Sequence, residues 1–241
     1  MPPPPPAAQI EPRVIAAFES DQKALQHFQY LEHVVTVKNR AVDARTLRVW
    51  YVNGNAVSQT VALDSRQLSQ TELAAEAQRA QIRARAAARR PPPPAGVVVF
   101  DGVRYPFSRL AHDYIFSDGE TRLWHGRPVW VYQARPNPRT DSRSRAETLL
   151  LHTAGEVWVD AGDLHVIRLT VHSTSPAKYL MGVLATIHRA RLSMEMQRYR
   201  PGVWLPAKAY FSLNATILMF DNIYRSKRQS FRDFTESAAA R

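Results

Sequence analysis

The chain has 241 residues, 45% of them hydrophobic and 22% charged, which is enough to bury a full core. It contains no cysteine, which excludes disulfides, thiol nucleophiles and thiolate metal sites. Its net charge of +11 favours anionic partners, whether phospholipid headgroups, other acidic polymers or nucleic acid.

No apolar run approaches the length of a membrane-spanning helix, and no basic segment followed by an apolar core marks a signal peptide. Met1 and the five prolines after it read as a start placed on a mature sequence whose export signal was removed, so a periplasmic or otherwise exported protein is expected. Residues 1–8 predict a disordered proline-rich tail, residues 9–236 a single domain, and residues 237–241 a second tail.

A helix is expected from Glu11 to Leu25, with Pro12 in its first turn and Val14, Ile15, Phe18 and Leu25 laying one face over a sheet. Three strands follow, Phe28–Lys38, Thr46–Asn53 and Ala56–Leu63, and Asn53-Gly54 between the last two is a strong hairpin signal. Ser69 with Glu72 three residues on matches a capping box, opening an alanine-rich helix that ends at Pro91–Pro94. Its arginines lie around the cylinder and its apolar residues are small, so segment 64–96 is expected to be a solvated insertion between sheet halves.

A short helix is expected at Phe107–Asp113, then strands at Tyr114–Ser117, Arg122–His125 and Val129–Ala134, and a polar loop over residues 135–145. Glu156–Asp160 and Leu164–His172 form a hairpin around Ala161-Gly162-Asp163. Strict alternation in its second strand places His165, Ile167, Leu169 and Val171 on one face.

The last three segments, 187–199, 204–219 and 223–234, carry the longest alternation. Leu192, Met194 and Met196 share one parity, and Phe211, Leu213, Ala215, Ile217 and Met219 share the next strand's. Such strands suit a strongly curved antiparallel sheet or partial barrel.

Tyr114-x-Phe116, Gly126-Arg127-Pro128-Val129-Trp130-Val131, Gly155-Glu156-Val157-Trp158-Val159-Asp160, Val166-x-Arg168-Leu169 and Val203-Trp204-Leu205-Pro206 occur in this order. Together they make the chain resemble the bacterial periplasmic proteins related to outer-membrane lipoprotein sorting, the LolA/LolB-like superfamily. The resemblance implies a mainly β (α+β) fold, a strongly curved antiparallel sheet forming an unclosed barrel with helices over its concave face, and a cavity between sheet and helices that holds acyl chains. It carries over no functional residue, because the carriers' gating and delivery segments have no counterpart motif here.

Chemical signatures are weak beside this architecture. Eight histidines are scattered without HExxH or a close pair, so no metal site or cofactor is expected. His165 reads as a hydrogen-bonded core histidine, and Asp160 and Asp163 read as turn aspartates that bond their own backbone rather than as an acid–base pair. No GxSxG elbow or phosphate-cradling glycine loop occurs, so no catalytic residue is assigned. Segment 179–187 admits two readings, a flap at a cavity mouth or the start of a strand.

The ligand-binding candidates are therefore Leu192, Met194, Met196, Phe211, Leu213, Ala215, Ile217 and Met219, with Ile167 and Leu169, as a deformable apolar wall. The expected function is non-enzymatic binding of a lipid or lipoprotein acyl chain in the cell envelope, with an anionic membrane surface as a further partner and nucleic acid disfavoured. The same sheet could instead be a dry scaffold that meets a protein partner, or an unrecognised hydrolase.

Overall fold

A computed structural model describes residues 3–100, 103–140, 145–179, 185–218 and 221–237. Its first strands are β1 (Phe28–Lys38), β2 (Ala41–Val52), β3 (Asn55–Leu63) and β4 (Arg66–Gln67). Asn53 and Gly54 both take positive φ, 48° and 70°, the paired left-handed geometry of a tight hairpin, which the β-branched runs on either side then propagate.

The middle of the chain supplies β7 (Tyr114–Phe116), β8 (Glu120–Trp124), β9 (Arg127–Pro136), β10 (Thr153–Asp160), β11 (Val166–Ser173) and β12 (Ala177–Tyr179). The long strands β13 (Ala185–Arg200), β14 (Val203–Ile217) and β15 (Asp221–Glu236) complete the sheet. All pairings are antiparallel, in the order β4-β3-β2-β1-β15-β14-β13-β11-β10-β9-β7, with β12 beside β13 and β8 beside β9. This 13-stranded sheet keeps two ends, so it does not close into a barrel; β5 (Val97–Phe100) and β6 (Val103–Pro106) form a separate hairpin.

Helix α1 (Ala7–Leu25) buries Ile10, Val14, Phe18 and Asp21, a spacing of three and four that puts them on one face. That face lies across β11 and β14. Phe18 stacks on Phe107 of α3 (Phe107–Asp113) with ring centroids 4.1 Å apart. Two expectations at this end need correcting. Pro12 lies inside the helix rather than in its first turn. The proline segment is not free either: it packs on the sheet, where the Tyr132 hydroxyl donates to the Pro5 carbonyl at 2.8 Å.

Ser69 caps α2 (Gln70–Ala88) with the capping box complete. The helix lies along β3 beyond the two-residue reach of β4 and engages backbone groups that the ladder leaves open. Thr60 N–H donates to Glu76, and Arg83 donates to the Ser58 carbonyl at 3.1 Å. The arginine helix thus closes part of a sheet edge that would otherwise be a template for unwanted pairing. A fourth helix, α4 (Arg145–Leu150), follows the segment expected as a polar loop, residues 135–145.

Each face of the sheet carries its own core. Ile10, Val14, Phe18, Phe107, Trp130, Tyr132, Val157, Val159, Leu164, Val166 and Leu169 pack on the helix-covered face. Val129, Val131, Trp158, Ile167 and Trp204 pack on the opposite face. Ile167 therefore does not share a side with Leu169 and Val171. Val159 pairs with Val166 and Trp158 with Arg168, so Ile167 is the extra residue of a β-bulge, and a bulge resets the alternation on which the expectation rested. Met196 also packs against the opposite core, at a point where β14 carries an extra residue, Ala207, against β13.

Candidate functional site

An apolar hollow lies between α4 and the strands β7, β9, β10, β11, β13 and β14. One transverse row of directly paired residues forms its floor: Phe116, Ala134, Gly155, Val171, Leu192 and Phe211, one from each strand in turn. Directly opposed residues share a face, so six strands at ~4.8 Å spacing give an apolar strip of roughly 24 Å across the sheet. Leu149 and Leu150 of α4 close it above, and Val157, Leu169 and Ala190 widen it below.

Gly155 is required by this packing. A Cβ there would stand 2.0 Å from the Thr170 carbonyl oxygen, so any side chain would push β11 off β10.

Two polar side chains of the wall, Tyr114 and Thr153, are already engaged, and Thr170 and Arg191 also border it. The hydroxyls of Tyr114 and Thr153 lie 2.6 Å apart, and each reaches the Leu150 carbonyl, at 3.1 and 2.8 Å. These bonds satisfy the end of α4, and burial pushes the Tyr114 phenol up to about 12, so it stays neutral. A ligand in the hollow would meet mainly hydrocarbon.

The free space is about 70 Å³, and a second apolar hollow of about 60 Å³ lies beside it under α1. Phe116 and Val157 belong to the walls of both. Leu149 and Leu150 are the helical residues that border the first hollow, and α1 and α3 border the second.

Helix α1 is pinned at its C-terminal end. Asp21 Oδ2 lies 2.7 Å from His165 Nδ1, and Asp21 Oδ1 accepts the Trp204 backbone N–H at 3.1 Å. Burial opposes a charge on His165, but the Asp21 carboxylate, with Asp163 and Asp160 behind it, outweighs that and raises its pKa. Asp160 is buried and nonetheless held below the usual carboxylate range, because Arg127 donates to both its oxygens, at 2.7 and 3.0 Å. The N–H groups of Gly162 and Asp163 add to this at 2.9 and 3.2 Å, so Asp160 serves its own turn. The network fixes the hairpin and the helix to each other.

Of the residues picked from sequence, Leu169, Leu192 and Phe211 line the hollow. Met194 packs against the core beneath α1. Leu213, Ala215 and Ile217 follow Phe211 along β14, opposite Ala190, Ile187 and Ala185. Met196 and Ile167 sit on the other face, and Met219 lies outside the described residues, as does most of the 179–187 segment. The wall contributed by Tyr114, Phe116, Ala134, Leu149, Leu150 and Gly155 was missed. The glycine inside a strand pattern at Gly155 was the available signal, since it marks a close approach of backbone.

Among the described residues no group of three or more His, Asp or Glu side chains is placed to hold a metal ion, and no helix is long and apolar enough to cross a membrane.

No family model matches the sequence, and no curated protein matches it. Among solved structures, the fold is similar to a domain described as an outer-membrane lipoprotein-sorting protein domain from Vibrio parahaemolyticus. That likeness has 10% identity, 94% of this chain and 93% of that one covered, and a TM-score of 0.38. A DUF1329 family protein from Desulfovibrio piger shares 9% identity over 94% of each chain, with a TM-score of 0.34. The MucA/MucB complex of Pseudomonas aeruginosa gives 9% identity over 96% of this chain and 99% of that one, with a TM-score of 0.27. Likeness at this level assigns neither ligand nor activity.

Proposed function

We propose that the protein binds the apolar chain of an amphiphile, a lipid or a lipoprotein acyl chain, along the strip from Phe116 to Phe211, and performs no chemistry on it. The observation that carries this reading is the strip itself: six consecutive strands present apolar or small residues in one row, roofed by helices that leave space above it. Each CH₂ that leaves water for such a strip contributes roughly 0.8 kcal/mol, so a long chain can bind without any polar contact. Such a protein would act as a carrier or sensor in the cell envelope, which fits an exported chain with a net charge of +11 near anionic surfaces. The small free volume supports the other reading, a dry scaffold for a protein partner.

Native mass spectrometry separates the two. The gently purified protein should carry adducts of lipid mass, and delipidated protein should take up an added fatty acid. Leu192→Trp, which fills the middle of the strip, should abolish uptake while the protein still unfolds cooperatively. If delipidated wild-type protein takes up no amphiphile of any chain length, the scaffold reading stands instead.

A further inference from the structure

The row that floors the hollow does not end at Phe211. Phe211 pairs directly with Lys227 on β15, Lys227 with Thr36 on β1, and Thr36 with Asp43 on β2. Paired residues share a face, so Lys227 stands one strand spacing, ~4.8 Å, beyond the end of the apolar strip and on the same side of the sheet. The change of character is abrupt around Phe211, although further along the same face Ala215 meets the apolar Ile223. On β14 the face reads Ala209, Phe211, Leu213; directly opposite on β15 it reads Gln229, Lys227, Arg225.

Lys227 also lines a groove of about 380 Å³ between β15 and β1 to β3. Two carboxylates share that groove, and both have partners. Arg45 donates to both oxygens of Asp43, at 2.7 and 2.5 Å, and Gln229 donates to Glu32. Among the described residues Lys227 makes no ion pair, although it is half-buried. A half-buried lysine beside apolar surface, with the neighbouring acids already engaged, is set to receive an anion from outside.

We infer that Lys227 is the headgroup site of the same ligand: the protein prefers a single-chain amphiphile whose polar end is anionic, a carboxylate or a phosphate, with the tail along the strip and the head at β15. This rests on the amphiphile reading above and adds to it the charge and the direction of the ligand. Head and tail would then lie across the strands, with the head toward the open polar groove and the tail toward α4.

The test titrates delipidated protein, below micellar concentration, with oleate, with oleyl alcohol and with inorganic phosphate. Wild type should bind oleate about tenfold more tightly than oleyl alcohol, the size expected of one charge-assisted contact. Lys227→Met should bring the two within about twofold by weakening oleate alone, while Lys208→Met, on the opposite face of β14, should keep the preference. Oleate should also protect Lys227 from acetylation, and phosphate alone should not. Equal binding of oleate and oleyl alcohol by wild type would overturn this inference and leave the amphiphile reading intact. So would a preference that survives in Lys227→Met or vanishes in Lys208→Met, since the net charge would then be its source. Protection of Lys227 by free phosphate would make it a plain anion site and also overturn it. Failure of both oleyl compounds to bind wild type would remove the amphiphile reading and this inference with it.

Discussion

One face of one sheet is built in two ways. From β7 to β14 it is apolar and lies under α1 and α4. From β15 through β1 to β3 the same face lines a groove that mixes Glu32, Thr36, Asp43, Arg45 and Lys227 with Tyr30, Val34, Leu47, Val49 and Val57, and no helix contributes to that lining. The adjoining strands β13, β14 and β15 are nearly equal in length and all pair antiparallel, so across that boundary the difference lies in the side chains. Where a row reads Val, Leu, Phe, exposure to water is costly and a helix settles over it; where it reads Lys, Thr, Asp, water is already an adequate cover. The roof is therefore a consequence of the strip, and its imperfect fit creates the hollow.

That contrast makes graded predictions. The largest effect belongs to Phe18→Ala, which removes the ring stacked on Phe107 at the centre of the covered core. It should cost about 4 kcal/mol in urea unfolding, as large-to-small changes of buried aromatics do. A cost below about 1 kcal/mol would mean that α1 is only loosely seated.

Next comes Asp21→Asn, which unpairs His165 and loosens the pinned end of α1, at roughly 3 kcal/mol near pH 6. His165 has a raised pKa in the folded protein, so its pairing contributes fully below the ordinary value of 6.5 and is lost as pH rises through the folded value. The stability gap between wild type and Asp21→Asn should accordingly narrow from about pH 6 to about pH 8 in paired urea melts. A gap that widens with pH would assign the pair the wrong sign.

Smallest is Asp43→Ala on the open half. It breaks an ion pair whose side chains are both about half exposed, and should change stability by less than about 0.5 kcal/mol. A cost above about 2 kcal/mol would show the two halves to be more alike than described.

Much of this architecture is visible in the residues, and the failures have identifiable causes. Asn53-Gly54 specified its hairpin, and Ser69 with Glu72 specified the start of α2, because each acts through bonds within a few residues. Parity also carried Leu169, Leu192 and Phe211 to the hollow. It failed at Ile167, where a bulge in its own strand reverses the side it faces, and at Met196, opposite a bulge in β14, and nothing local in the sequence announces a bulge. The wall from Tyr114, Phe116 and Ala134 was missed because β7 is three residues long, too short to show a period, and its place beside β9 depends on contacts distant in sequence. The role of α2 along β3 was hidden for a related reason: its value lies in Glu76 and Arg83 meeting backbone groups of β3, and backbone leaves no mark on a pattern of side chains.

The most direct test of the central claim is to locate a bound chain. Delipidated protein incubated with a fatty acid bearing a photoreactive group at its tail end, irradiated and digested, should carry label on Leu149, Leu150 and the residues of the strip around Gly155 and Val171. Label concentrated instead on exposed apolar residues such as Val42, Leu123 and Tyr224, or no label at all, would contradict it.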